Sequence, residues 1–238
     1  MVIANHIISG KTKFIAHIGF PTGSFTAPKI LNPCFELLNT DLIVIPMACQ
    51  KGNLNNLIKG LTNLENFFGA LITMPHKQAI LSHLNYKSPL VEQSESCNIV
   101  KLNKSRETIG EIFDGIGVFK AICQKNVFPR NKSILLIGAG GVGFAIAFYL
   151  GAKGISKLAI FDLNRSKSSK LCAKIRKTFP NLEVDVWNSQ EDGWDIVINA
   201  TPLGMNRADN LPVASRFLNS VEIVIDLVLS TTDTYLVK

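Results

Sequence analysis

Apolar residues along this chain gather in short runs, and the polar positions between them follow helical spacing. Residues 13–20 (KFIAHIGF) read as a strand, 27–39 (APKILNPCFELLN) as a helix, 41–49 (DLIVIPMAC) as a strand, 54–64 (LNNLIKGLTNL) as a helix and 67–75 (FFGALITMP) as a strand. Strands that alternate with helices predict an α/β unit. A further strand in SCNIVKL and a polar turn over residues 103–108 follow, and residues 110–126 (GEIFDGIGVFKAICQKN) read as a loop entering a linking helix. The pattern places a boundary at residues 102–110. It divides the chain into an N-terminal α/β domain, 1–105, and a C-terminal domain, 106–238, with a cleft between them of the kind that houses small-molecule sites.

Residues 134–152 are nineteen uncharged residues in a row, nearly enough to cross a bilayer. Its glycines argue against that. Gly138, Gly140, Gly141 and Gly143 follow directly on the run ILLI, and glycines weaken a helix by roughly 1 kcal/mol each relative to alanine. A buried strand, a tight turn and then a helix over residues 142–150 fit better. In this arrangement Gly138-x-Gly140-x-x-Gly143 is the phosphate turn of a Rossmann dinucleotide-binding domain, and Gly141 and Val142 stand at the helix N-terminus, whose N–H groups face the phosphates. A second apolar run (KLAIFD) ends in Asp162, nineteen positions past Gly143, where a ribose-reading carboxylate belongs. Later runs, WDIVINATPLGM and EIVIDLV, read as further parallel strands buried on both faces.

Composition adds exclusions. At 47% apolar and 18% charged the chain is ordinary for a globular protein, and no secretory signal marks its first twenty residues, so a cytoplasmic location and no membrane partner are expected. Five cysteines (Cys34, Cys49, Cys97, Cys123, Cys172) form no C-x-x-C pair, and four histidines (His6, His17, His76, His83) form no H-E-x-x-H, so no metal is expected. The net charge of +7 includes Lys167, Lys170, Lys174 and Lys177 at three- and four-residue steps. These read as a solvated helix flank or as an attractor for an anionic cofactor or acid substrate. No aromatic residues interleave with them, which argues against nucleic acid.

Taken together, the segments IGFPTGSFTAPKILN, LITMPHK, SCNIV, GEIFDGIGVF, GAGGVG, NATPLGM and VIDLVLSTTDTYL resemble the shikimate dehydrogenase family in order and over nearly the whole length. Pro-His-Lys and Phe-Asp-Gly at two of these landmarks bring the chain closest to the divergent shikimate dehydrogenase-like branch. The resemblance implies an N-terminal substrate domain, a C-terminal Rossmann domain, and reversible hydride transfer between NAD(P) and a cyclic hydroxy acid such as shikimate or quinate, in a monomer or homodimer. It implies Lys77 and Asp114 as the acid–base pair, with Thr73 and Asn98 at the polyol site. Asn199, Thr201, Gly204 and Met205 line the nicotinamide end by the same resemblance.

The departures are specific. Anchored on Pro28 and Asn32, the family's Ser-x-Ser becomes Phe25 and Ala27; a shift of one position restores it as Ser24-x-Thr26. Two family asparagines are Leu71 and Ile112, and a family tyrosine is Leu229. Family members continue past Lys238 with a terminal helical region, which is expected to be missing here. Apolar groups do not replace hydrogen bonds to a triol acid, and each buried polar group left unsatisfied costs about 1–3 kcal/mol. NADP-using relatives place Asn-Arg-Thr after the second strand; aligned on Asp162, Leu163 and Asn164, this chain favours NAD, while Arg165 and Lys167 keep NADP open. Two readings stand: a dehydrogenase acting on a less hydroxylated ring acid, or an NAD-binding homologue of weak or no activity with a sensing or regulatory role.

Overall fold

The computed structural model describes residues 8–206, 208–228 and 233–237; His6 and Leu229 lie outside them. The chain forms two compact units, Met1–Ile112 and Phe113–Lys238.

In the first unit, β1 (Lys13–Gly19), β2 (Leu42–Ala48) and β3 (Phe67–Ile72) run parallel, joined through α1 (Ala27–Leu37) and α2 (Leu54–Thr62). The chain then passes β4 (Tyr86–Lys87), α3 (Pro89–Ser94), β5 (Ile99–Leu102) and β6 (Thr108–Glu111), and the sheet order among the described residues is β2-β1-β3-β5-β6-β4. Alternation along β1 buries Ala16 and Ile18 completely, and Leu54, Ile58 and Leu61 give α2 a buried stripe at i, i+4, i+7. The outer edge of β2 is satisfied from α1: Asn32 Oδ1 accepts from Val44 N at 2.7 Å while Asn32 Nδ2 donates to Val44 O at 3.3 Å.

Two expectations need adjustment here. Residues 110–111 belong to a strand, not to a loop, because β6 pairs antiparallel with β5 from Ile99↔Glu111 to Leu102↔Thr108. That pairing carries the first unit on to Ile112, seven residues beyond the boundary expected at 105/106.

The second unit begins with α4 (Asp114–Gln124) and continues through β7 (Ser133–Ile137), α5 (Gly141–Ala152), β8 (Lys157–Phe161), α6 (Arg165–Thr178), β9 (Glu183–Val186), β10 (Ile196–Asn199) and β11 (Ile223–Asp226). The sheet is parallel in the order β11-β10-β7-β8-β9, a doubly wound arrangement whose order reverses between β7 and β10. Residues 134–137 are essentially inaccessible, and α5 is buried on nearly every side, which accounts for the long uncharged stretch as a core strand followed by a core helix. Among the described residues no helix is long and apolar enough to cross a membrane. Leu135, Ile137, Trp187, Trp194, Val197 and Phe217 form the core on one side of the sheet.

Candidate active site

At the carboxyl end of β7 the three motif glycines have different reasons to be glycine. Gly138 has φ +104°, and a Cβ there would meet Ala200 O at 2.8 Å, so both backbone and packing require it. A Cβ on Gly143 would strike the carbonyl of Gly138, which is how the helix packs so closely on the turn. Gly140 is different. Its backbone is ordinary (φ −77°, ψ −174°), and nothing lies within 4 Å of where its Cβ would be. No protein contact explains the missing side chain; what it leaves is open space at the N-terminus of α5, beside Gly141 and Val142. That space and the N–H groups of the first helical turn fit a pyrophosphate.

Asp162 stands just past β8, the strand beside β7. One carboxylate oxygen accepts from Ala139 N at 2.8 Å and the other from Asn164 N at 2.9 Å. These bonds hold the carboxylate against the glycine turn, and a carboxylate's four acceptor sites leave room for ribose hydroxyls. Asn164 caps α6 through its side chain, which accepts from Ser166 N at 3.1 Å, and Arg165 follows in the first turn. Asn164, Arg165 and Ser166 thus open the helix just after the carboxylate of Asp162, and the cap was legible in the sequence as an asparagine ahead of the helical run.

The switch-point side of the turn is formed after β10. Asn199 is fully buried; its amide donates to Leu203 O (3.0 Å) and Asp226 Oδ1 (2.9 Å) and accepts from Thr201 N (3.0 Å) and Thr201 Oγ1 (2.6 Å). Asn199 and Thr201 thus shape the loop that presents Gly204 (φ +103°) and the half-exposed Met205.

In the first unit the carboxyl ends of β1, β2 and β3 converge. Phe20 N donates to Met74 O, Cys49 N to Gly19 O and Thr73 N to Ile18 O. Ile72 N donates to Asn98 O at 2.8 Å and Cys97 N to Lys77 O at 2.9 Å, so Thr73, Lys77 and Asn98 are brought to one place. Burial pushes the Cys97 thiol up to about 11, against the nearby charge of Lys77. His76, missed as a site residue, anchors the lysine: it is buried, and its Nε2 lies 2.7 Å from Cys49 O. Asp114 opens α4 in the second unit. Ile112 is fully buried, so this departure from the family asparagine serves packing.

The turn over residues 22–26 bears Ser24, which is exposed, and Thr26, which stands at the N-cap of α1 without a capping side-chain bond. Between them Phe25 packs onto the strand ends, its ring stacked on His17 with centroids 3.9 Å apart and planes at 25°. Sequence reasoning passed over His17; its signal was a lone imidazole inside an apolar strand.

Comparison with known proteins accords with this geometry. The family model described as shikimate dehydrogenase substrate binding domain matches residues 18–100, and that described as shikimate / quinate 5-dehydrogenase matches residues 122–229. A protein of Bacillus cereus named shikimate dehydrogenase (NADP(+)) is 31% identical over 221 residues, covering 91% of this chain and 79% of its own length. The chain belongs to the shikimate dehydrogenase family. A second family member so named, from Methanosphaera stadtmanae, is 29% identical over 239 residues, 98% of this chain and 83% of its own length. A shikimate dehydrogenase solved in complex with NADP+ superposes with a TM-score of 0.87 at 26% identity, covering 97% of this chain and 81% of that one. The alternative of a sensing or regulatory role gains no support from these relatives.

Proposed function

We propose that this protein is an NAD(P)-dependent dehydrogenase of the shikimate/quinate type, acting on a small cyclic hydroxy acid as a cytoplasmic monomer or homodimer. The observation that carries the reading is the glycine turn, which leaves open space at Gly140 for a dinucleotide phosphate; Lys77 and Asp114 stand where the family resemblance implies its acid–base pair. When bound, the nicotinamide accepts or returns the hydride. The protein's part is the proton: as a secondary alcohol becomes a ketone, its hydroxyl proton passes to Lys77, and in reduction Lys77 gives it back to the carbonyl oxygen. Asp114 is the second member of the acid–base pair, Thr73 and Asn98 bind ring oxygens, and Ser24 and Thr26 hold the acid's polar edge. Asp162 favours the two ribose hydroxyls of NAD, while Arg165 provides for the 2′-phosphate of NADP, the cofactor in the names of the relatives.

The test is absorbance at 340 nm with NAD and with NADP, using shikimate, quinate and simpler cyclohexene or cyclohexane hydroxy acids. Turnover is expected with at least one acid, and Lys77→Ala should lower kcat by roughly 10²–10⁴-fold, the usual worth of a general acid–base group. Cofactor affinity, measured by calorimetry, should be unchanged. Turnover that survives Lys77→Ala at full rate would remove the lysine from the chemistry.

A further inference from the structure

His17 lies on the face of β1 opposite the fully buried Ala16 and Ile18, in register with Pro46 of β2 and Leu71 of β3. The residue is only 9% exposed, and its Nδ1 is sealed from solvent without a hydrogen-bond partner among the described residues. A buried nitrogen left this way weakens the fold. Valine or isoleucine at the same strand position would carry no such cost. Unsatisfied buried groups call for an explanation, and a bound ligand is one.

The surroundings indicate which ligand. The phenyl of Phe25 covers the imidazole and reaches Gly19, where a Cβ would meet Phe25 Cζ at 2.7 Å and the Thr73 methyl as well. An aromatic ring therefore stands beside Thr73, at the position where the family resemblance calls for a hydroxyl-bearing serine. Leu71 replaces a family amide on the neighbouring strand. Burial holds the imidazole neutral at physiological pH, so each nitrogen is a hydrogen-bonding group without charge.

Building on the dehydrogenase reading, we infer that His17 and Phe25 set the substrate specificity of this site. The acid taken up is less hydroxylated than shikimate: a bare carbon edge packs on the phenyl, and the ring oxygen that reacts also hydrogen-bonds Nδ1 of His17. Phe25 must slide from its stack to admit that oxygen. The turn that carries it includes Gly23, whose Cβ position has nothing within 4 Å, so that side of the turn is not packed against.

The experiment compares kcat/KM for shikimate and for 3-hydroxycyclohex-1-ene-1-carboxylate, which keeps the carboxylate and the allylic hydroxyl but lacks the other two. The native enzyme should prefer the mono-hydroxy acid by about tenfold or more, and Phe25→Ser should move the ratio about tenfold toward shikimate, the scale of one hydrogen bond made or lost. His17→Val should lower kcat/KM for the mono-hydroxy acid about tenfold, and His17→Gln should restore much of it. Thermal melts guard against misfolding; His17→Val, which removes the orphaned nitrogen, should melt no lower than the native protein. A native preference for shikimate, or a ratio unmoved by both Phe25→Ser and His17→Val, overturns the inference.

Silence with every ring acid overturns the dehydrogenase reading instead. Calorimetric titration of the two acids into the NAD-loaded protein then decides the inference separately. Tighter binding of the mono-hydroxy acid, weakened in His17→Val, sustains it; equal or absent binding ends it.

Discussion

Single residues decide most of what distinguishes this chain within its family. His17 looks unremarkable in the sequence as one polar letter in KFIAHIGF, and only burial reveals its consequence. Desolvation lowers its pKa below the usual 6.5, so the unfolded chain takes up a proton at a higher pH than the native protein does. The linkage therefore runs against acid: the stability tied to this group is intact above about pH 6.5 and declines as pH falls below that value, until the native imidazole also protonates. Chemical denaturation between pH 5 and 8 should show this slope in the native protein and a shallower one in His17→Val. An identical slope in both would mean that His17 titrates alike in both states. Lys77, Asp114, Thr73 and Asn98 were legible only through resemblance, since a lysine after a proline or an aspartate before a glycine is unremarkable without it.

At the scale of elements, the strand–turn–helix of β7 and α5 was readable from spacing alone, because the glycines follow a β-branched run and an acidic residue closes the next strand. What each glycine does was not readable. The structure separates them, and a paired substitution tests the separation. Gly143→Ala places a methyl against the Gly138 carbonyl and should cost about 1–3 kcal/mol of stability in urea unfolding, the usual range for an overpacked core. Gly140→Ala enters open space and should leave stability within about 0.5 kcal/mol. It should nevertheless weaken NAD or NADP binding about tenfold or more by calorimetry, since the close approach of backbone to pyrophosphate is lost. Strands β6 (TIGE) and β9 (EVDV) went unrecognised because charged, polar or glycine positions interrupt them, leaving no apolar run like those of β10 and β11.

For the molecule as a whole, charge sets the response to acid. The net charge of +7 grows as carboxylates protonate, and self-repulsion grows with it. Asp195 helps to hold the second sheet together: its Oδ2 accepts from Ser133 N and Ser133 Oγ, both at 2.7 Å, joining the starts of β10 and β7. Burial works to raise its pKa, but these two bonds and the charge of Lys132 outweigh burial and hold the carboxyl below the usual range. A depressed carboxylate stabilises the fold above its unfolded pKa of about 3.9 and loses that contribution as pH falls through the native value. Asp195→Asn should be less stable at neutral pH and flatten the acid limb below about pH 4 in thermal melts across pH; an unchanged limb would place the acid sensitivity elsewhere.

The sequence by itself determined that strands alternate with helices in two successive units and that a glycine-rich strand–turn–helix lies within the second. Those are matters of local spacing, where hydrophobic period and glycine placement act over a few residues. Tertiary structure alone decided that Phe25 lies on His17 beside Thr73, that Asn199 is saturated by its own loop together with Asp226 of β11, and that Gly140 faces open space. Burial and hydrogen-bond satisfaction depend on residues far apart in the chain, and no local pattern encodes which partner a side chain will meet.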